Sequence, residues 1–305
     1  MTPSVNESWP VTELDVSALR RWPLPVLPET GDKEDRGRVL VIAGSDEMPG
    51  AAILAATSAF RTGAGKVTVA THSAVAPIVA AAVPEARVMG FASRGGGFGR
   101  AATRSVAAMA QEFDAVLVGP GMQDEKATRA LAAALLEQPG RAKWILDAYA
   151  MSSCIRSVGR DATRVLVTPH AGEMSHLTGV NKAAILADPL LHACKSAVAW
   201  NAVVAMKGAV TFIASPERCA WRHDGAAIGL AISGSGDALA GIIAGLAARG
   251  ATLEQAAAWG VLLHARAGDR LSKRIGTVGY LAREIAEEIP ALLDALGDSN
   301  HVMQW

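Results

Sequence analysis

The chain contains a run of small residues that ends in a carboxylate, residues 233–237, directly before an apolar stretch at residues 238–246. Glycine and serine at the start of a helix leave backbone N–H groups unpaired where the helix dipole is positive, and such a turn binds anions. The carboxylate of Asp237 would repel a phosphate held there, so we interpret it as a base that takes a proton from the group attacking the phosphate. The pattern indicates phosphoryl transfer, although an ordinary helix-capping turn would contain the same residues.

Three further loops that follow predicted strands carry side chains suited to this chemistry. Ligands of open parallel sheets bind beyond the carboxyl ends of the strands. Asp147 lies at such an end and could cap a helix or hold a hydrated magnesium ion. His170 and Glu173 lie three residues apart at the start of a predicted helix, which suits a substrate contact; as the alternative, Thr168 could cap this helix with Glu173 nearby. Lys207 lies at the bend between two strands and could bind phosphate as a point charge or be a solvated turn residue.

Short β-branched runs alternate with alanine-rich helical stretches from residue 38 onward, an order that predicts a parallel sheet with helices on both faces. The predicted strands are residues 39–43, 66–70, 115–118, 144–146, 164–167, 203–206 and 210–214. Residues 215–218 have the composition of a hairpin turn, so we expect antiparallel strands at one end of the sheet. The predicted helices are residues 51–62, 238–248, 253–270 and 280–296. We therefore expect an α/β fold of three layers.

Composition excludes several classes of partner. The 305 residues include 29 basic and 29 acidic side chains that are scattered along the chain, which argues against nucleic acid or a membrane surface and favours a small-molecule ligand. Cys154, Cys194 and Cys219 form no metal-binding or redox motif and are interpreted as reduced thiols. The first ten residues lack the features of a signal peptide, and no apolar run approaches the ~20 residues of a membrane span. We expect a cytoplasmic protein.

Residues 1–36 are expected to form an arm on the surface of a single catalytic domain at residues 37–305, because the segment is rich in proline and too short for a domain. Its Trp9 and Trp22 are expected to dock on this chain or on a neighbouring subunit, and alanine-rich helices offer further contacts for a homo-oligomer. The glycine-rich residues 93–99 follow no predicted strand and precede no Lys-Ser or Lys-Thr pair. We interpret them as a surface loop rather than a nucleotide-binding loop.

Six motifs occur in order along the chain. They are Gly-Ser-x-x-x-Pro-Gly-Ala-Ala from residue 44, Gly-Pro-Gly-Met from 119, Leu-Asp-Ala from 146, Thr-Pro-His-x-Gly-Glu-Met from 168, Lys-Gly-x-x-Thr from 207 and Gly-Ser-Gly-Asp from 234. None is specific alone, but together they resemble the bacterial ADP-dependent NAD(P)H-hydrate dehydratases. The likeness covers about residues 38–290 and implies the ribokinase-like fold.

The resemblance implies an enzyme that repairs hydrated NADH or NADPH. The ring hydroxyl of the S epimer is phosphorylated at the expense of ADP, and the phosphate then leaves to restore the nicotinamide double bond. Converting a hydroxyl into a phosphate ester makes elimination feasible, provided that water is kept from the transferring phosphate. The expected co-substrate is ADP or ATP, between which the sequence does not decide, with Mg²⁺ bridging the phosphates.

The resemblance also assigns roles to residues. Asp237 is the expected catalytic base. The hydrated dinucleotide is expected to contact Ala51, Gly121, His170 and Asp237. The adenine nucleotide is expected to contact Lys207, Gly208, Ala209, Val210, Thr211, Gly234, Ser235 and Gly236. The metal ligands are left open, with Asp147 and Glu173 as the candidates.

The chain departs from the family pattern at three places near the expected substrate. Tyr149 replaces the second Asp that relatives usually carry after Leu-Asp-Ala, and residues 170–173 read His-Ala-Gly-Glu instead of His-Pro-Gly-Glu. Residues 225–232 lack an Asn-Pro pair and a Thr. We expect these changes to affect substrate preference or rate. The family is also found fused to an epimerase domain, for which residues 1–36 are too few, so we expect a separate epimerase to act on the same metabolite.

Two other functions remain open on the sequence. A small-molecule kinase of the same fold, acting on a vitamin precursor, would use Asp237 and the same anion loop; the motifs at residues 49–52 and 168–170 favour the dehydratase. A non-catalytic nucleotide-binding sensor would explain Tyr149 and the altered segment 225–232. A sensor needs no base, however, and the chain retains one.

Overall fold

The computed structural model describes residues 9–26, 30, 32–94, 97–156 and 164–297. The strands are β1 (Val11–Glu13), β2 (Arg38–Ile42), β3 (Lys66–His72), β4 (Arg87–Phe91), β5 (Ser93–Arg94), β6 (Gly97–Phe98), β7 (Ala115–Val118), β8 (Lys143–Leu146), β9 (Val165–Val167), β10 (Val203–Met206), β11 (Val210–Ala214) and β12 (Ala220–Asp224). The helices are α1 (Val16–Arg21), α2 (Pro49–Arg61), α3 (Ala76–Ala82), α4 (Arg100–Ala110), α5 (Glu125–Leu136), α6 (Ala171–Thr178), α7 (Lys182–Ala187), α8 (Pro189–Trp200), α9 (Ser235–Ala248), α10 (Leu253–Arg274) and α11 (Ala282–Gly297). Two 3₁₀ segments are Ala148–Arg156 and Ile228–Leu230.

Ten of the strands form one sheet in the order β1-β12-β11-β10-β9-β8-β7-β2-β3-β4. The pairs β10–β11 and β11–β12 are antiparallel, and the other pairs are parallel. The predicted α/β class, with antiparallel strands at one end, is confirmed. Every strand predicted from the sequence is present within two residues at either end. Among the described helices, none has the length and hydropathy that a membrane span requires.

The central strands β7, β9 and β10 are apolar throughout because both faces of the sheet are covered. Val39 and Val41 belong to a core cluster that includes residues of α1, α2, α3, α9, α10 and α11. Leu40 and Ile42 belong to a second cluster, with residues of α4 to α8. Successive side chains of a strand point to opposite faces of the sheet. A strand that is covered on both faces therefore has no solvent-exposed face for polar side chains. The predicted three layers are therefore present.

Helices α2 and α9 pack with their backbones in direct contact, and this contact sets the position of the α9 N-terminus. A Cβ on Gly241 would overlap with the Ala55 carbonyl, and a Cβ on Gly245 would lie 2.7 Å from the Ala59 carbonyl oxygen. The small residues at these two contacts allow the helices to approach closely. Glycine inside a helix loses more conformational entropy on folding than other residues, so the close approach has a cost. The beginning of α9 is thereby held beside the beginning of α2.

The surface loop predicted at residues 93–99 is wrong for the described residues 93–94 and 97–99, and residues 95–96 lie outside the described part of the chain. β5 and β6 pair as a short antiparallel hairpin, and Gly97 and Phe98 are buried. The Phe98 ring lies 5.3 Å from the His72 ring and 5.8 Å from the Phe91 ring. A Cβ on Gly97 would overlap with Ala127 of α5. These long-range contacts hold the segment, and its local composition does not reveal them.

The described part of the N-terminal arm joins the sheet. β1 pairs in parallel with β12, and the Trp22 ring stacks on that of Trp221 at 5.4 Å. The Trp22 carbonyl accepts hydrogen bonds from Trp259 Nε1 at 2.9 Å and from Gln255 Nε2 at 3.2 Å. Trp9 packs against the second core cluster. Both tryptophans are therefore engaged within this chain, while the division at residue 36 stays a prediction.

Replacing Trp22 by Ala is expected to destabilise the protein by about 1–3 kcal/mol, because the variant loses a half-buried indole and its stacking contact with Trp221. Urea unfolding measures the change. Trp221→Ala should cost a similar amount, and the double variant should lose less than the sum of the two. The control is Val26→Ala at a side chain that is 94% exposed. Additive losses for the two tryptophans would contradict the coupling between the arm and the sheet.

Candidate active site

The N-terminus of α9 forms an anion-binding turn. Gly234 precedes the helix with φ = 87°, and a Cβ there would lie 2.5 Å from Leu54 Cδ1, so conformation and space both require glycine. The Ala238 amide bonds the Gly234 carbonyl, whereas the amides of Gly236 and Asp237 donate to no acceptor in the described part of the chain. Two backbone donors are thus available where the helix dipole is positive.

Lys207 lies between this turn and two carboxylates. Its backbone amide donates to the Pro169 carbonyl at 2.8 Å, which ties the end of β10 to the loop after β9. Its Nζ lies 3.0 Å from Asp147 Oδ1 and 3.8 Å from Glu173 Oε2. A Cβ on Gly236 would lie 3.5 Å from the same Nζ. The ammonium therefore faces the place where the free amides would hold an anion.

The charge of Lys207 is maintained by its neighbours. Burial alone would lower the pKa of the ammonium, but the carboxylates of Asp147, Glu173 and Asp237 outweigh burial and leave that pKa raised. An ammonium that stays charged while largely buried is a strong partner for phosphate.

Asp237 lies in the first turn of α9, close to the same cluster. Burial, followed by the nearby charge of Asp147, raises the pKa of Asp237 to about 7, against the opposing effect of the Lys207 ammonium. A carboxylate with a pKa near neutrality accepts a proton far more readily than an ordinary aspartate. These properties fit the base predicted from the sequence.

The raised pKa of Asp237 predicts a pH-dependent cost to stability. The group is protonated more easily folded than unfolded, so its contribution is favourable at low pH and is lost as pH rises from 3.8 through about 7. Asp237→Asn should therefore raise the free energy of unfolding at pH 8, by as much as about 4 kcal/mol, and should change it little at pH 4. Denaturant unfolding without nucleotide at both pH values measures this. An equal effect at both would contradict the assigned burial.

Asp147 and Glu173 are both held by hydrogen bonds. Asp147 is buried at the end of β8, and its Oδ1 accepts a hydrogen bond from Thr168 Oγ1 at 2.6 Å. Glu173 Oε2 accepts from the His170 amide at 2.8 Å, while His170 Nδ1 accepts from the Glu173 amide at 3.1 Å. His170 and Glu173 thus form a capping box at the start of α6. Because Nδ1 accepts, the hydrogen of the neutral ring is on Nε2, on a side chain that is 58% exposed.

The structure brings Ala51 and Gly121 together. A Cβ on Gly121, whose φ is 67°, would lie 2.5 Å from Ala51 Cβ and 3.0 Å from the Met48 carbonyl oxygen. The Gly44 amide donates to the Pro120 carbonyl at 2.8 Å, which joins the same two loops. The loops after β2 and β7 therefore leave no room for side chains between them, and they lie at the sheet edge that carries Asp147.

The remaining predicted nucleotide contacts follow Lys207 directly. Gly208 and Ala209 are exposed in the turn between β10 and β11, and Val210 opens β11. Thr211 pairs with His223 of β12, and its Oγ1 lies 3.5 Å from the Gly208 carbonyl oxygen. Their positions are compatible with a nucleotide that extends from the α9 turn across this bend.

Ser235 of the α9 turn, unlike Gly236 and Asp237, has a hydrogen-bond partner for its amide among the residues that the structure describes. Its amide donates to the Ile232 carbonyl at 3.3 Å, and its side chain is buried. Its Oγ lies 3.0 Å from Nε2 of His264, a residue of α10 that sequence reasoning missed. His264 lies inside an alanine-rich helix with no adjoining motif, so no local signal marks it. Only the packing of α10 on α9 reveals the contact.

Two departures from the family pattern can be placed. The Tyr149 side chain is 40% exposed in the 3₁₀ segment after Asp147. In the altered segment 225–232, a Cβ on Gly229 would lie 2.6 Å from Cζ of the buried Tyr280 and 2.6 Å from the Thr277 carbonyl oxygen. Glycine is therefore required at residue 229 by the connection between α10 and α11.

Comparison with known proteins identifies the family of this chain. A sequence model of the NAD(P)H-hydrate dehydratase family matches residues 39–291. The chain is 47% identical over 287 residues to an ADP-dependent (S)-NAD(P)H-hydrate dehydratase of Xanthomonas campestris. The alignment covers 94% of this chain and 97% of the relative. The resemblance drawn from the six motifs is confirmed.

Two crystal structures show the same fold. One is the ADP/ATP-dependent NAD(P)H-hydrate dehydratase of Bacillus subtilis, co-crystallised with ATP and Mg²⁺; it is 28% identical, has a TM-score of 0.83, and covers 96% of this chain and all of its own. The other is a ribokinase-like superfamily protein of Enterococcus faecalis, 27% identical with a TM-score of 0.79, covering 94% of this chain and 96% of its own. The chain belongs to the NAD(P)H-hydrate dehydratase family.

Proposed function

We propose that this chain dehydrates the S epimer of hydrated NADH or NADPH in an ADP-dependent reaction. The observation that carries the proposal is the cluster at the α9 N-terminus, where a carboxylate with a pKa near 7 lies in the same turn as two unpaired amides and beside a buried ammonium. Relatives of the same family that carry this activity in their names support the choice of substrate.

In the first step, the residues of the cluster have two roles, as a base and as donors to the phosphoryl group. Asp237 takes the proton from the ring hydroxyl, whose oxygen attacks the terminal phosphorus of ADP while AMP leaves with the electrons of the broken P–O bond. The amides of Gly236 and Asp237 and the Lys207 ammonium face the phosphoryl oxygens, where negative charge accumulates. Elimination then breaks the C–O bond and phosphate leaves with its electron pair, while the neighbouring carbon gives its proton to water and the C–H electrons form the double bond.

Asp147 and Glu173 are the proposed contacts of Mg²⁺. The described residues contain no group of three or more His, Cys, Asp or Glu side chains that could hold a metal. Mg²⁺ is nevertheless suited to one or two carboxylates that are completed by water and nucleotide phosphates. Both carboxylates lie beside the Lys207 ammonium, so the ion would share them with that cation. Bound there, the ion would neutralise charge on the phosphates.

We also propose that the hydrated dinucleotide binds over Ala51, Gly121 and His170. Ala51 and Gly121 pack directly on each other with little side-chain bulk, and the His170 side chain, which is 58% exposed, carries an Nε2–H donor at the same edge of the sheet. A separate epimerase that supplies the S epimer, and a homo-oligomeric state, remain predictions from the sequence.

The deciding experiment incubates the protein with hydrated NADH, ADP and Mg²⁺ and follows the recovery of NADH absorbance. We expect recovery that needs both nucleotide and metal, with equal amounts of AMP and phosphate formed. Parallel runs with ATP and with hydrated NADPH determine the nucleotide and substrate preferences. A stable phosphorylated vitamin alcohol, with no recovery of NADH, would instead support the kinase. Nucleotide binding without turnover of either substrate would support the sensor.

A further inference from the structure

His264 of α10 contacts the anion-binding turn through a single ring nitrogen. Its Nε2 lies 3.0 Å from Ser235 Oγ and 3.1 Å from the Ser235 carbonyl oxygen. Burial lowers the pKa of His264 to about 4, with the Ser235 carbonyl opposing that effect and the Lys207 charge adding to it. The imidazole is therefore neutral at physiological pH, and its Nε2–H can donate to the carbonyl oxygen.

The peptide plane explains why this contact reaches the phosphate site. The carbonyl of Ser235 and the amide of Gly236 belong to one planar peptide unit, so fixing the oxygen also fixes the direction of the N–H. That amide is one of the two that donate to no acceptor in the described part of the chain. The Ser235 amide donates to the Ile232 carbonyl at 3.3 Å, so the His264 contact holds the residue at its carbonyl side as well.

We infer that His264 is a positioning residue that aims the Gly236 amide at the terminal phosphate of the bound nucleotide. A hydrogen bond to the carbonyl also polarises the peptide unit and strengthens its N–H as a donor. His264 itself touches neither phosphate nor substrate in this arrangement. The inference rests on the proposed function for the identity of the nucleotide, and it concerns a residue outside the six motifs.

Binding of ADP and of AMP to His264→Leu, measured by titration calorimetry, tests the inference separately from turnover. ADP has the terminal phosphate that the Gly236 amide would meet, whereas AMP lacks it. We expect the variant to bind ADP about 3- to 10-fold more weakly, as for one lost hydrogen bond, and AMP within about twofold of the unchanged protein. General damage to the site would weaken both nucleotides alike.

His264→Gln provides the rescue, because its amide nitrogen can donate at a similar reach. We expect it to recover most of the preference for ADP over AMP, and kcat with hydrated NADH should follow the same order, with the KM for hydrated NADH unchanged. Ser272→Ala, two turns further along α10, is the matched control. Equal loss in the Leu and Gln variants, or unchanged ADP affinity in the Leu variant, would overturn the inference. Failure of the proposed function would show instead as absent turnover in the unchanged protein.

Discussion

Asp237→Asn is expected to lower kcat for dehydration by about 10²- to 10⁴-fold, the usual contribution of a positioned general base. Asparagine keeps the size of the side chain but cannot accept the proton of the ring hydroxyl. ADP should bind at least as tightly as before, because a carboxylate that repels phosphate has been removed. The measurements are the initial rate of NADH recovery and the affinity for ADP by calorimetry.

The matched control for this prediction is Asp188→Asn. Asp188 caps α8 by accepting from the Leu191 amide at 3.0 Å, and asparagine caps helices about equally well. This variant removes one negative charge elsewhere in the chain and should keep the full rate. Loss of less than tenfold in Asp237→Asn, with the control unchanged, would assign the proton transfer to another group.

Lys207→Met is expected to weaken ADP binding by about 10- to 100-fold, because a charge-assisted contact to phosphate is lost. The variant also leaves Asp147 and Glu173 without the cation that lies 3.0 Å and 3.8 Å from them. The Lys207 charge lowers the pKa of Asp237, so that pKa should rise above its present value of about 7.

The pH profile separates the two effects of this substitution. In the unchanged protein, kcat/KM should rise with pH through about 7 as Asp237 loses its proton. In Lys207→Met, the rise should move to higher pH, so that part of the lost rate returns under alkaline conditions. The control is Lys195→Met on the exposed side of α8. A rise that stays at the same pH would show that Lys207 does not act on Asp237.

The candidate catalytic cluster is held by closely packed elements. The glycine contacts between α2 and α9 fix the helix that carries Asp237, and the N-terminal arm fastens α10 through Trp259 and Gln255. A buried, easily protonated carboxylate costs stability at neutral pH, so the surrounding packing must supply the difference. Active sites commonly contain groups that lower the stability of the fold, and the packing around them compensates for this loss.

The amino-acid sequence alone determined the layers of the fold and the family, and it predicted the loops of the candidate site. Strands such as β2 and β7 are buried on both faces, so their unbroken apolar runs identify them locally. The loops that follow parallel strands meet at one edge, which is why Asp147 and Lys207 are each expected among the ligand contacts. The order of the six motifs identified the family.

The tertiary structure decided what depends on contacts between distant parts of the chain. Lys207 and Asp147 are 60 residues apart, and His264 and Ser235 are 29 apart, so neither pairing has a local signal. The pKa of Asp237 follows from burial and neighbouring charge, which only packing creates. The β5–β6 hairpin and the addition of β1 to β12 also depend on partners supplied by remote segments. Sequence patterns indicate which residues can be buried and where the backbone can turn. Which charges and hydrogen-bond donors face each other depends on the folded chain.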